Sequence, residues 1–343
     1  MGAPGLLNLL TDVPGLAVGH AADERLRSGV SIVLPASRAA CAVDVRGGGS
    51  GTRETDLLRP EASVQAVDAV CLSGGSAFGL DAASGAMHWL AERRRGVEVR
   101  GHVVPIVPAA ILFDLHNGGD KDWGAEPPYR LLGRRACDTA TTGAFPLGNA
   151  GAGFGAMAGQ IKGGLGSASW VEDDGLVIAA MVAVNAVGSV LTPGNRSFWA
   201  APWEQNGEFG GLPFAAAAVD LGIAAEARIA RPVAGSHTCI GIVATNAPLD
   251  KAALRQVSIM AHDGLARAVR PVHTPFDGDT LFALATATWQ DTEGAADRSW
   301  LIARVGSIAA DCVARAVARG VWAAEPLGQL ESACNVMAAA GKF

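Results

Sequence analysis

Four side chains that could each do chemistry stand in a row at residues 236–239: Ser236, His237, Thr238 and Cys239. The residues before Thr238 (VAGSH) are small and permissive. Those after it (CIGIVAT) are an apolar run of the kind that forms a buried strand. A hydroxyl at the first residues of a strand is fixed by the sheet, which suits a nucleophile. A polar cap on an ordinary strand accounts for the same residues without any chemistry. The peptide bond ahead of Thr238 separates the two readings. While it is intact, the Thr238 nitrogen is an amide and cannot act as a base. If the chain is cut there, Thr238 gains an α-amine with an ordinary pKa of about 7.7–8.0. It then carries nucleophile and base in one residue.

A second group lies at residues 273–280, HTPFDGDT, with one imidazole and the carboxylates of Asp277 and Asp279. D-G-D occurs in metal loops, but the further ligands and terminal Glu of a calcium loop are missing. A turn built on Asp-Gly ahead of the strand TLFALATAT is the plain alternative. In a third reading the turn delivers two carboxylates to a strand end, where they orient an amine. The histidines at 20, 88, 102, 116 and 262 lack partners at close spacing, and no metal or other cofactor is expected.

Three Gly-rich stretches, 47–51, 118–123 and 151–166, are expected to be loops. GGGSGTRET lacks the Lys-Ser/Thr ending of a phosphate loop, and GAGFGAMAG lacks dinucleotide spacing. Tight turns are the default reading, with backbone N–H groups lining an oxyanion site as the alternative.

The elements that would position these residues follow from composition and pattern. Half of the 343 residues are hydrophobic and only 17% are charged, enough for a large core. Net charge is −6 with no extended basic run, which argues against nucleic acid as a partner. Arg93, Arg94 and Arg95 close an apolar helical stretch, where the helix dipole favours cations. Six scattered cysteines form no C-x-x-C pair. MGAPGLLNLL lacks a basic start, and no apolar run reaches the ~20 residues of a membrane span. A soluble cytoplasmic protein with no membrane partner is expected. Buried strands are expected at 30–34, 40–45, 69–72, 103–107, 176–184, 238–244 and 280–288, and helices at 77–93, 250–269 and 300–323. Strands and helices cluster as well as alternate, which points to sheets with helices layered outside.

The sequence resembles peptidase family S58, the P1 or DmpA-type aminopeptidases, nearly end to end. The resemblance rests on LTDVPGLAVGHA (10–21), VDVRGGGSGTRETDLL (43–58), CLSGGSAFGLDAASG (71–85), VPIVPAAILFDLHNGGDKDW (104–123), GNAGAGFGAMAGQIKGGLGSAS (148–169), AVNAVG (183–188) and the block 237–286. It implies an α/β four-layer αββα sandwich of the N-terminal-nucleophile type, formed by one domain over 1–343. It also implies self-cleavage between His237 and Thr238 into 1–237 and 238–343, with Thr238 as nucleophile. Asn185 matches the family's oxyanion Asn. Asp277 and Asp279 match residues that contact the new amino terminus, and Lys162 falls in the family's KGGLG block. The implied reaction is hydrolysis of short peptides or small linear amides. Nylon-type 6-aminohexanoate oligomers, acyl transfer of the ornithine acetyltransferase kind, and an inactive assembly protein are the alternatives. A tetramer of αβ units is implied. The chain departs from family members in four places: His237 where many carry Asn or Gly, Gln160 where the nylon-hydrolase branch has Lys, Phe113 where some have Tyr, and Cys239 where a second Thr is common.

Overall fold

The computed structural model describes residues 2–215, 222–223, 225–227, 237–290 and 297–341. Its strands in chain order are β1 (Leu16–Asp23), β2 (Ser28–Pro35), β3 (Ala40–Val45), β4 (Gly51–Arg53), β5 (Val70–Ser73), β6 (Val97–Val99), β7 (His102–Val104), β8 (Ala109–Ile111), β9 (Met157–Ala158), β10 (Ile161–Lys162), β11 (Gly164–Val171), β12 (Val177–Val184), β13 (Ile240–Thr245) and β14 (Thr280–Ala285). Its helices are α1 (Ala82–Glu92), α2 (Tyr129–Asp138), α3 (Lys251–Ala268), α4 (Arg298–Trp322) and α5 (Ala333–Ala339).

Two five-stranded sheets carry the fold, in the orders β1-β2-β5-β8-β4 and β11-β12-β13-β14-β3. Each has the same succession of pairings: antiparallel, antiparallel, parallel, antiparallel. Strand alternation sorts the side chains into layers. On β12 and β13, Ala179, Met181, Ala183, Ile240, Ile242 and Ala244 face the other sheet, where they meet Val18, Val33 and Leu72. Ile178, Ala180, Val182, Val184 and Val243 face α3 and α4 on the other side. The outer face of the first sheet, with Val30, Ile32 and Cys71, is covered by α1 and α2. The order of layers is helix, sheet, sheet, helix, as expected. Both faces of β12 and β13 are covered, which is why these strands read as continuous apolar runs.

Helix α4 lies almost on the backbone of β11. A Cβ on Gly166 would sit 1.8 Å from the Ala316 carbonyl oxygen, and one on Gly320 would sit 2.5 Å from the Gly166 nitrogen. Only glycine permits that approach at either position.

Several boundaries differ from the pattern-based expectation. The stretch 151–166 is not all loop: it holds the small β9–β10 hairpin and the first residues of β11. Alternation could not reveal β11, because its first residues are glycines that pack against a helix. Residues 103–107 are not one buried strand. His102–Val104 belongs to the hairpin β6–β7, with His102 and Val104 exposed, and the buried Ile106 and Val107 precede β8. Strand β13 begins at Ile240, two residues after Thr238, and β14 ends at Ala285. The stretch 77–93 opens as a 3-10 turn, Ser76–Asp81, before α1.

Candidate functional site

The sheet topology brings three separate segments to one end of the second sheet. Strands β13 and β14 are parallel, so both begin at the same end, and Ile240 lies opposite Thr280. Strand β12 is antiparallel to β13, so it finishes there, with Ala183 opposite Ile240. The residue after β12 is Asn185, the residues before β13 are His237 and Thr238, and the turn before β14 holds Asp277 and Asp279. All five are buried.

Backbone bonds fix the nucleophile candidate. The Thr238 N–H donates to the Asn185 carbonyl oxygen at 2.7 Å, and the Gly278 N–H donates to the His237 carbonyl oxygen at 3.0 Å. His237 pairs in parallel with Asp277 as an isolated bridge. In the unbroken chain the Thr238 hydroxyl donates to the His237 carbonyl oxygen, the carbonyl of the bond expected to be cut. That oxygen therefore sits between Thr238 Oγ1 and a backbone N–H. Such an arrangement polarises a carbonyl and would stabilise an oxyanion on it.

The two carboxylates are held differently. Among the described residues Asp279 accepts from the Cys239 N–H at 2.8 Å and the His273 N–H at 3.2 Å, and it pairs with His273 Nδ1 at 2.7 Å. Asp277 accepts from the Val187 N–H at 3.3 Å, the Thr274 N–H at 2.9 Å and the Thr274 hydroxyl at 2.6 Å. Burial, with the neighbouring Asp279 charge adding to it, pushes the Asp277 carboxyl up to about 6. Burial, with the Asp279 and Asp277 charges beside it, also holds the Cys239 thiol well above its ordinary range, so the thiol is a protonated, packed neighbour of the two carboxylates. Ser236 lies outside the described residues.

Asn185 is oriented through its carboxamide. Its Oδ1 accepts from the Met157 N–H at 3.0 Å, and its Nδ2 donates to the Phe113 carbonyl oxygen at 3.0 Å. The Phe113 ring, in the position expected for a Tyr, lies 5.2 Å from the His116 ring. Lys162 pairs across the β9–β10 hairpin with Met157, the residue whose N–H donates to Asn185 Oδ1. Its ammonium is fully buried and donates to the Gly153 and Gly163 carbonyl oxygens at 3.1 and 2.9 Å. Burial lowers it to about 7, against the pull of the Asp114 charge. Gln160 is further out and donates to the Ala225 carbonyl oxygen at 2.7 Å. It lines a cavity of about 190 Å³ with Ser189, Glu226 and Glu331.

Among the described residues, no group of three or more His, Cys, Asp or Glu side chains is arranged to hold a metal ion. His273 and Asp279 are bonded to each other, and Asp277 is bonded to the Thr274 turn. Sequence reasoning missed the Gly278 N–H, because a glycine amide leaves no side-chain signature. It also left His273 as a ligand candidate. The H-T-P-x-D spacing holds the better clue: Thr274 and Asp277 close a turn on themselves, the Asp277 N–H donating to the Thr274 carbonyl at 3.0 Å. His273 is left beside Asp279.

Comparison with known proteins bears on the family and the fold. The model of peptidase family S58 matches residues 8–333. A protein of Mycobacterium tuberculosis (strain ATCC 25618 / H37Rv), called an uncharacterized aminopeptidase, is 44% identical over 339 residues, covering 94% of this chain and 95% of its own. A 6-aminohexanoate-oligomer endohydrolase of Kocuria sp. (strain KY2) is 30% identical, with 82% of this chain and 76% of its own covered. The solved structure of an L-aminopeptidase D-Ala-esterase/amidase from Ochrobactrum anthropi, described as a new variant among the Ntn hydrolase fold, superposes with a TM-score of 0.70 at 21% identity, covering 100% of this chain and 96% of its own.

Proposed function

This chain belongs to peptidase family S58, self-processing hydrolases of peptide and other amide bonds, and on that premise we propose that Thr238 is the nucleophile of both self-cleavage and turnover. The observation that carries the proposal is the contact of the Thr238 hydroxyl with the carbonyl of His237, whose oxygen also receives the Gly278 N–H.

Self-cleavage then runs as follows. Thr238 Oγ attacks the His237 carbonyl carbon and its proton passes to Asp277. The oxyanion is held by the Gly278 N–H. The C–N bond breaks as the proton moves to the Thr238 nitrogen, leaving an ester between the His237 carbonyl and Thr238 Oγ. Water hydrolyses the ester, which frees the His237 carboxylate and restores the Thr238 hydroxyl. In turnover the new α-amine of Thr238 takes the hydroxyl proton, and the carboxamide of Asn185 stabilises the oxyanion of the substrate amide. Asp277 and Asp279 hold the amine, and Lys162 contributes from beneath the β9–β10 hairpin. The acyl group leaves to water.

The substrate class in this reading is short peptides or small linear amides with a free amino end. It follows the aminopeptidase name of the 44% relative ahead of the nylon-oligomer name of the 30% relative. A cytoplasmic tetramer of αβ units belongs to the same reading. No described helix is long and apolar enough to cross a membrane. Denaturing electrophoresis with intact-mass measurement tests the proposal. Two fragments, 1–237 and 238–343, are expected from wild type, together with hydrolysis within a panel of amino-acid p-nitroanilides and a 6-aminohexanoate oligomer. An active wild-type sample made only of the intact chain would overturn it.

A further inference from the structure

We propose that His273 is a positioning residue for Thr238: it keeps the negative charge on Asp279 and thereby makes Asp277 the carboxyl that takes up and returns the proton. The inference rests on the reading of Thr238 as nucleophile.

Two buried carboxylates two residues apart in one turn cannot both be charged without cost, so a proton is shared between them as the pH falls. The partners of each decide where it sits. Among the described residues the partners of Asp279 are two backbone N–H groups, of Cys239 and of His273, and His273 Nδ1, which donates while Asp279 is charged. An N–H cannot accept, so a proton placed on Asp279 faces only donors and breaks a contact. At Asp277 one partner is the Thr274 hydroxyl, at 2.6 Å. A hydroxyl both donates and accepts, so it can turn to receive a proton from Asp277 without moving an atom of the backbone.

His273 is built to stay in this role. Its φ is +55°, a left-handed conformation that brings its own N–H and its ring Nδ1 to the same Asp279 oxygen. Its bond to a carboxylate places the proton on Nδ1. The other nitrogen, Nε2, is buried with no hydrogen-bond partner. Beyond it stands His262 of α3, with the rings edge to face at 4.8 Å. His262 is fully buried and turns Nε2 to the Asp44 carbonyl oxygen at 3.1 Å, which leaves its Nδ1 without a partner as well. Burial lowers His262 to about 4. The charged groups behind it, Asp44 with Arg46 and Arg255, are paired among themselves. An apolar imidazole edge therefore backs His273, and the ring interacts with the site through Asp279. From the strand side the pair is faced by the Cys239 thiol, which burial and both carboxylates keep protonated, and by the buried His237, bridged to Asp277 through the backbone. The Thr238 nitrogen between them is an amide before the cut and an amine after it.

Carboxyl carbon NMR of the full chain labelled at Asp tests this, with Asp277→Asn used to assign the signals. In wild type, between pH 8 and pH 5, the Asp277 signal is expected to titrate and the Asp279 signal to stay at its charged position. Two substitutions suit the left-handed backbone of residue 273. His273→Gly removes the ring donor and is expected to make the Asp279 signal titrate in the same range, with the first protonation of the pair moving up by about 1 pH unit. His273→Asn restores an N–H donor and is expected to return the wild-type pattern. Titration of Asp279 in wild type, or an unchanged pattern in His273→Gly, would overturn the inference. If His273→Gly does not fold, the wild-type signals alone decide. The same signals in uncut Thr238→Ala separate the two claims, because failure of the cut leaves this pattern standing.

Discussion

Thr238 gives its backbone N–H to the carbonyl oxygen of Asn185 across 2.7 Å, and the same nitrogen is the one a cut at residue 237 would turn into an amine. An ammonium donates to a carbonyl as well as an amide does, so this acceptor holds the nitrogen before and after cleavage. Thr238→Ala is expected to run as one uncut band and to show no amidase activity. Thr238→Ser keeps the hydroxyl and is expected to cut more slowly, since it lacks the γ-methyl that restricts χ1. Mass spectrometry of the two purified variants checks both outcomes.

On the proposed reading, substitution of Asn185 is expected to separate the two reactions. Its Nδ2 bonds to Phe113 and not to the scissile carbonyl of the precursor, whose oxygen is held by Gly278. Asn185→Ala is therefore expected to lower kcat/KM by about 10²–10³, the usual loss of one oxyanion donor. Self-cleavage is expected to fall by less, because Gly278 remains. Time courses of cleavage during expression, set beside steady-state rates, read the two numbers. Equal losses in both would show that Asn185 serves the cut as well.

Asp277 makes the uncut protein less stable as pH rises. Its native carboxyl lies near 6, held up by burial and by Asp279, against an ordinary value of 3.8. Between these values the native state binds the proton and the unfolded state does not, so unfolding free energy falls as pH increases from about 4 to 6. The ceiling on this effect is about 3 kcal/mol, from 1.36 kcal/mol per pH unit. Denaturant melts of uncut Thr238→Ala are expected to show the slope, and adding Asp277→Asn is expected to remove it. In the cleaved enzyme, activity is expected to decline as pH falls through the region where Asp277 takes its proton.

The candidate site residues stood out in the sequence because each sits at the end of a strong apolar run. Thr238 precedes CIGIVAT, Asn185 follows VIAAMVAV, and Asp277 and Asp279 precede TLFALA. The four-layer order was legible for a related reason, since strands buried on both faces lose the polar alternation that one exposed face leaves. What stayed hidden is set by contact rather than pattern. Strand β11 begins in glycines because α4 lies against it. The Gly278 donor is backbone alone. Helix α2 has a mean composition too polar to stand out, although Tyr129, Leu132 and Ala136 are buried along one stripe. The partner of His273 depends on a left-handed residue, which spacing cannot reveal.

Lys162 gives the opposite pH signature to Asp277. Burial holds its native ammonium near 7 while the unfolded side chain titrates near 10.5. Between those values the unfolded state binds the proton and the native state does not, so stability rises with pH across the window. Lys162→Met is expected to lose that rise. It is also expected to lose some stability at pH 9, because the Gly153 and Gly163 carbonyls no longer have a donor. Thermal melts from pH 7 to 10 read both effects.

The two chains made by a cut at residue 237 are expected to stay together without any covalent link. Strands β13 and β14 would belong to the C-terminal chain, yet they lie inside a sheet flanked by β12 and β3 of the N-terminal chain. A buried ion pair adds a second clasp: Arg315 of α4 holds Glu208 through Nε at 2.6 Å and Nη2 at 3.0 Å. The same guanidinium donates to Asn8 Oδ1 and to the Ser169 carbonyl, both at 2.9 Å. Glu208, Asn8 and Ser169 all precede the cut, so every partner of Arg315 named here lies on the other chain. Removing Arg315 leaves the buried Glu208 carboxylate with the more distant Arg319, Nε at 3.4 Å, and Asn8 Nδ2 at 2.6 Å. Arg315→Ala is expected to cost about 3 kcal/mol, the low end for a broken buried pair, because Glu208 keeps these partners. Replacing both ions with apolar residues of similar size, Arg315→Met with Glu208→Leu, is expected to restore only part of that, since Arg319 then loses its Glu208 partner. Size-exclusion chromatography of the cleaved wild type should give one peak containing both fragments, and denaturant melts of the two variants should differ in the stated direction. Separation of the fragments without denaturant would show that the shared sheet does not hold the chains together after the cut.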